Sequence, residues 1–166
     1  MKIKIRELEL DDANFILEIE NNKSIWKVSN TTEEYNLRDI EIFISKNHLE
    51  GLSSGQKRWI IATKKEAVGC IDIFDYNAIN QRAGIGIVIH PKFQNQKIGQ
   101  QALALFIKYA RKTIKLHQLY CTILEDNIAS KLIFEKQGFK ITGRRNEWTY
   151  FENNYYDELF YQLIFE

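Results

Sequence analysis

Three runs rich in β-branched residues follow one another between positions 58 and 90: RWIIATK, AVGCIDIFDY and RAGIGIVIH. Only short polar or turn stretches separate them, and that spacing predicts an antiparallel meander. The third run stops at Pro91, the only proline in the chain. Proline lacks an amide donor and cannot continue a central strand, so the chain must leave the sheet there and cross to a helix.

The other elements alternate around that meander. KIKIREL reads as a first strand, and Asp11 or Asp12 is expected to cap a helix through DANFILEIENN, where Phe15, Ile16 and Ile19 repeat at helical spacing. Leu37, Ile40 and Ile44 predict a second helix from Glu33 to about His48, and Ile98, Ala102, Leu105, Phe106 and Tyr109 predict another from Ile98 to about Thr113. QLYCTIL is a strand, and IASKLIFEKQ is a short helix ended by Gly138. The remainder reads as two closing strands around a turn at Asn153 and Asn154. With 166 residues and no linker, repeat or low-complexity tract, the expectation is a single α+β domain over 1–166.

Composition narrows the class. At 45% hydrophobic and 27% charged residues the chain reads as a soluble globular protein. No apolar run approaches the roughly 18 residues a membrane span needs. The start, MKIKIRELELDD, carries charges where a signal peptide needs an apolar core, so a cytoplasmic protein is expected. Cys70 and Cys121 sit in apolar strand-like runs and are expected as buried thiols; neither they nor the three histidines have zinc-ligand spacing, so no metal is expected.

The net charge of +1 conceals an uneven distribution. From Tyr76 through Leu124 there is no Asp or Glu, while Arg82, Lys92, Lys97, Lys108, Arg111, Lys112 and Lys115 fall inside; the first fifty residues hold eleven acids against seven Lys or Arg. One part suits an anion and the other a cation, although solvated helix faces would give the same pattern. The basic segment contains the strand-to-helix crossing QNQKIGQ. At a helix N-terminus the first amides have no intrahelical partners and the dipole is positive, so a phosphate fits there. Gly99 removes a Cβ that would block close approach, and Gln94, Asn95, Gln96 and Lys97 supply further donors.

HPKFQNQKIGQQAL resembles the acetyl-CoA-binding motif of the GNAT superfamily of N-acetyltransferases, in which Q or R, two residues, G, one residue, then G or A form the pyrophosphate loop. Gln94 and Gly99 fill its first and last positions, and Lys97 stands where the first glycine usually does. Downstream, NIASKLIFEKQGF resembles the family's N-x-x-S-x-x-L-Y-E-K-x-G-F segment, with Asn127, Ser130, Glu135, Lys136, Gly138 and Phe139 in register. The closing ENNYYDELFYQL is similar to the spermidine and ribosomal-protein acetyltransferase branches, so the resemblance covers nearly the whole chain.

The resemblance implies the GNAT acyl-CoA N-acyltransferase fold: a mixed, mostly antiparallel sheet of about seven strands, splayed at strands four and five, with about four flanking helices. It implies acetyl-CoA as cosubstrate, held by backbone groups of Ile87, Val88 and Ile89, by the loop Gln94, Asn95, Gln96, Lys97, Ile98, Gly99 and Gln100, and by Asn127, Ser130 and Phe134. Gly84 and Gly86 serve either the family's bulge or tight packing. The implied reaction is direct attack of a neutral primary amine on the thioester, with a strand-four amide steadying the oxyanion and an acid helping the thiolate leave. The family's usual acid, a tyrosine, is Phe134 here, and a phenyl ring has no proton to donate. The catalytic groups are therefore unassigned. Tyr150, Tyr155, Tyr156 and Tyr161 are substitutes for the acid; Asp72, Asp75 and Glu125 are candidate bases; His90 is read as structural. Glu33 and Glu41 fall where polyamine enzymes hold substrate, while Gly84 stands where those relatives carry an acid. The acceptor is expected to be a polyamine, with a protein N-terminus, an amino sugar, or a GNAT-like module that binds acetyl-CoA with little turnover as alternatives. A small-molecule or peptide amine is thus the expected partner, a homo-oligomer is compatible with the resemblance, and neither nucleic acid nor membrane is expected.

Overall fold

The structure, a computed structural model, describes residues 2–29 and 31–166. β1 (Lys4–Glu7) leads through a short 3-10 turn into α1 (Ala13–Glu20), α2 (Lys23–Ser29) and α3 (Leu37–Glu50). The meander follows as β2 (Lys57–Ala62), β3 (Ala67–Asn77) and β4 (Arg82–Ile89). α4 (Ile98–Tyr109) crosses to β5 (Gln118–Leu124), and α5 (Ile128–Lys136) precedes the hairpin β6 (Lys140–Phe151) and β7 (Asn154–Ile164).

All seven strands form one sheet in the order β1-β2-β3-β4-β5-β7-β6. The meander pairs antiparallel as its spacing predicts, whereas β4 and β5 run parallel, which requires the α4 crossover. Side chains alternate between two faces with period two. On one face Ile71, Ile73, Ile85 and Leu119 pack with Leu103 and Phe106 of α4 and Phe134 of α5; on the other Ile60 and Cys70 pack beneath Ile16, Ile19, Ile40 and Ile44 of α1 and α3. β4 and β5 pair only through Arg82–Gly84 and Gln118–Tyr120, and then part. The expected splay is present at the expected strands.

Several boundaries differ from expectation for identifiable reasons. The second expected helix begins at Leu37 rather than Glu33, because Asn36 and Asp39 form a reciprocal cap: the Asn36 side chain accepts the Asp39 amide at 3.0 Å, and the Asp39 carboxylate accepts the Asn36 amide at 3.1 Å. α2 was not foreseen, so five helices flank the sheet rather than about four. Asp12 does not cap α1 through its side chain; its carboxylate turns back to the Glu9 amide at 2.8 Å and to both terminal nitrogens of Arg6 at 2.7 Å. The long helix from Ile98 is α-helical only to Tyr109 and finishes in a π turn over Ala110–Ile114. The closing hairpin turns one residue early, at Glu152 and Asn153, whose φ values of 48° and 63° suit a two-residue turn that needs both centres left-handed. Gly86 serves no bulge, while Gly84 borders one. Register between β3 and β4 is unbroken from Gly69 to Phe74 and slips only past Phe74, where Asp75 takes φ 47°.

Candidate active site

The parting of β4 from β5 leaves one edge of β4 without a strand partner. The His90 amide donates to Val68 O at 3.0 Å, and the constant register then assigns the backbone groups of Val88, Gly86 and Gly84 to β3. Those of Ile87 and Ile89 face the gap, as does the Ile85 carbonyl; the Ile85 amide is taken up by the parallel pairing of Gly84 with Tyr120. Of the three residues expected to offer backbone to a cosubstrate, Ile87 and Ile89 present theirs to the gap. Val88 does not, because its groups are spent on Cys70, and the Ile89 carbonyl already accepts the Gln94 side-chain amide at 3.2 Å.

A cleft of about 440 Å³ opens at this gap. Ile87, Val88, Asn127, Ser130 and Phe134 line it, so the strand-four and α5 parts of the motif come together as anticipated. Asn127 caps α5, its side chain accepting the Ser130 amide at 3.2 Å. Phe134 is buried, its ring edge-on to Phe139 at 5.0 Å between centroids.

The loop Gln94–Lys97 lies outside the cleft on the surface and leads into α4. Lys97 takes the left-handed conformation, φ 59° and ψ 14°, which explains why glycine is usual there, and its side chain makes no capping bond. The first amides of α4 are left for an external acceptor, with Gln100 half-buried beside them. Gly99 also serves packing. A Cβ there would meet Ile133 Cδ1 at 3.3 Å and Ile89 Cγ1 at 3.5 Å, so the missing side chain lets α4 press against α5 and β4, and the buried Ile98 is core.

The face of the sheet across from α4 carries the charge in the cleft. Arg58 donates Nε and Nη2 to the two oxygens of Asp72 at 2.6 and 2.9 Å, and Nη1 to Glu20 Oε1 at 2.5 Å. Its backbone is fixed by Asn47, which donates to Arg58 O at 3.1 Å and accepts from Arg58 N at 2.8 Å, and its guanidinium lies 5.2 Å from the centre of the Phe43 ring. Burial alone would pull the guanidinium's pKa down, but the Asp72 and Glu20 charges lift it well above the usual value, so it is a permanent cation. Glu158, on β7, is buried and accepts Arg145 Nη1 at 3.0 Å. Lys27, on α2, donates to Asp126 at 2.5 Å and stands 3.4 Å from the centre of the Tyr156 ring. Glu20, Lys27, Arg58 and Glu158 all line the cleft and were missed by the sequence reading. The signal available was a charge interrupting an apolar run, but which charges meet depends on cross-strand register.

Most other candidates lie elsewhere. Asp72 lines the cleft, but Asp75 accepts the Tyr120 hydroxyl at 2.8 Å and Glu125 is held by Arg144 at 2.8 and 2.7 Å. His90 is structural as expected, stacked on Phe15 and bonded to Glu18 at 3.0 Å. None of the four tyrosines lines the cleft: Tyr161 is buried with its hydroxyl on Glu135 at 2.9 Å, Tyr150 and Tyr155 are exposed on the hairpin, and Tyr156 faces Lys27. Glu33 lies in the loop before α3, beside a separate surface depression, and Glu41 is half-buried on α3; neither reaches the cleft. Cys70 and Cys121 are buried free thiols, and burial foremost raises Cys70 to about 12. Among the described residues no helix is long and apolar enough to cross a membrane, and no cluster of His, Cys, Asp and Glu is placed to hold a metal ion.

Comparison with known proteins agrees with this geometry. The fold superposes on a Vibrio cholerae spermidine N-acetyltransferase in complex with CoA and spermine, at a TM-score of 0.88 and 21% identity over 98% of this chain and 95% of that one. A dodecameric spermidine N-acetyltransferase from the same organism gives 0.83 at 22% identity, over 98% and 93% of the two chains. In sequence, the spermidine N(1)-acetyltransferase of Escherichia coli K12 is 24% identical over 165 residues, covering 99% of this chain and 86% of the relative. Residues 2–140 match the acetyltransferase (GNAT) domain family. With the parted strands, the half-unpaired edge of β4 and the α5 cap all in their expected places, the chain belongs to the GNAT acetyltransferase family.

Proposed function

We propose that this N-acetyltransferase moves the acetyl group of acetyl-CoA onto a primary amine of a polyamine, in the cytoplasm, as one domain over residues 1–166 that assembles with copies of itself. The observation that carries the proposal is one continuous cleft joining two unlike surfaces. At one end lie the Ile85 carbonyl and the backbone groups of Ile87, left without a strand partner; at the other, Glu20, Asp72 and Glu158 outnumber Arg58 and Lys27. An acyl donor bonded through amides and an acceptor carrying positive charge would meet between them.

Acetyl-CoA supplies an activated acyl carbon and a thiolate leaving group. The chain's residues fit it: the Ile87 amide faces the gap and can donate to a developing oxyanion, the N-terminus of the 12-residue α4 suits a pyrophosphate, and Asn127 and Ser130 border the thiol end. The missing phenol at position 134 leaves Ser130, one turn earlier on the same helix and lining the same cleft, as the hydroxyl available to the departing sulfur. Glu33 and Glu41 belong to the acidic loop and helix outside the cleft, where a polyamine could bind without reacting.

Phe134 also favours a second reading, an acetyl-CoA-binding module with little turnover. A thiol-release assay with acetyl-CoA against spermidine, spermine, amino sugars and short peptides, run beside calorimetric titration of coenzyme A, separates the two. Polyamine-dependent release is the expected result. Release only with peptides or amino sugars overturns the acceptor assignment; coenzyme A binding with no release from any acceptor establishes the binding module.

A further inference from the structure

Gly86 lies in the middle of β4 on the charged face, directly opposite Asp72 of β3. A Cβ built there would touch nothing nearer than Phe74 Cε1 at 3.9 Å, so the position is an open floor. Gly84, two residues away on the same face, is the reverse: a Cβ there would lie 2.2 Å from Phe74 Cε2, because the Phe74 ring covers it. The ring therefore fills the space above Gly84 and presents its edge to the space above Gly86. Gly86, Asp72 and Phe74 all line the cleft, and the Ile85 carbonyl and Ile87 amide flank the floor on the open edge of the strand.

The ion pairs around this floor leave one charge unmatched. Lys27 is paired with Asp126, and Glu158 with Arg145. Arg58 alone serves both Glu20 and Asp72, so that triad carries one excess negative charge in a largely enclosed space. A cation above Gly86 would balance it, touching the Asp72 carboxylate on one side, while the carbon edge of the Phe74 ring on the other packs against the aliphatic stem that carries it. Only a compact cation on a narrow stem fits over a floor one missing side chain wide.

Resting on the acetyltransferase reading above, we propose that Gly86, Asp72 and Phe74 form the pocket for the reacting ammonium of the acceptor, specific for a primary amine on an unbranched aliphatic chain. Arg58 and Glu20 are positioning residues: Arg58 grips both Asp72 oxygens and Glu20 holds the far end of the guanidinium, with Asn47 and Phe43 fixing Arg58 in turn. The same face explains the loss of a side chain at position 84, since the ring that covers Gly84 is the aromatic wall of the pocket.

The test is Gly86→Val, which fills the floor without crowding the fold, with Asp72→Asn beside it; that variant leaves Arg58 matched one-to-one with Glu20 and should stay folded. Spermidine binding to the coenzyme A-loaded protein is followed by calorimetry, and acceptor turnover by thiol release. Both variants should lose roughly tenfold or more in spermidine affinity and in acceptor kcat/KM. They should keep the wild-type affinity for coenzyme A and the wild-type melting temperature. In Asp72→Asn the loss should fall on the acceptor while the KM for acetyl-CoA stays at its wild-type value, a split that a purely structural role for Asp72 would not produce. If the wild type binds spermidine and both variants bind it equally well, the pocket is misplaced. Loss of binding in the variants supports it even if no turnover is seen, so failure of the enzyme reading is told apart from failure of the pocket. A wild type that binds no aliphatic amine overturns the pocket outright.

Discussion

Phe134 presents only carbon to the cleft at the point where a leaving thiolate would need a proton. Phe134→Tyr places a phenol there at small steric cost, and because general acids contribute large factors, kcat should rise by about tenfold at neutral pH with little change in acceptor KM. Steady-state kinetics on the variant checks it; an unchanged kcat would mean that sulfur departure does not limit the rate. Gly84 makes a prediction about stability instead. Gly84→Ala drives a Cβ into the Phe74 ring, 2.2 Å away, and should destabilise the fold by about 1–3 kcal/mol in urea unfolding. Phe74→Leu in the same chain should recover most of the loss. At this scale the sequence was legible where function follows a contiguous motif: Asn127, Ser130 and Phe134 share one helix and reached the cleft together. Glu20, Arg58 and Asp72 lie on α1, β2 and β3, and their meeting depends on register, which no local pattern records. Gly99 shows a third case, a motif glycine whose packing against α5 and β4 no local pattern records.

Among the elements, α2 was the one unforeseen. Its seven residues, KSIWKVS, bury only Ile25 and give the helical period less than two turns in which to declare itself. Yet α2 forms one wall of the cleft, and Lys27 ties it across the gap to Asp126 and Tyr156, on the β5 and β7 side. Replacing Lys27 with Met keeps the stem and removes the charge. Hydrogen exchange of the α2 amides should then accelerate about tenfold, while global stability changes by less than about 1 kcal/mol, because a partly exposed pair contributes little to the whole. Unchanged exchange in α2 would mean that Ile25 alone docks it. The start of α3 was misread for a different reason: Asn36 is a capping residue by type, but nothing in the Glu33–Asn36 sequence forbids helix, and the reciprocal bond with Asp39 decided the boundary.

Across the whole molecule, the meander, the crossover and the closing hairpin were legible from β-branched runs and one proline, and the order of strands came with the family resemblance. Stability against acid also belongs to this scale. Burial pushes the Asp12 carboxyl up, but the Arg6 hydrogen bond, the Glu9 amide and the Arg6 charge outweigh it and hold the carboxyl below its usual range. A depressed pKa contributes stability that is present above the unfolded value of about 3.9 and is lost as pH falls through the folded value. Asp12→Asn should therefore be less stable than wild type at pH 7, and the gap should narrow below pH of about 4, as measured by urea unfolding at each pH. A constant gap would assign the effect to shape rather than to charge.

The parting of β4 from β5 has a mechanical consequence. Only three residue pairs stitch the two strands, so the sheet is two shorter sheets sharing a seam, and the cosubstrate expected in the gap would act as the missing length of strand. Such a ligand becomes part of the scaffold: its binding free energy is added to folding, and amide protection along Ile85–Ile89 should track its concentration. The cell's supply of acyl donor would then set the lifetime of the protein as well as its rate.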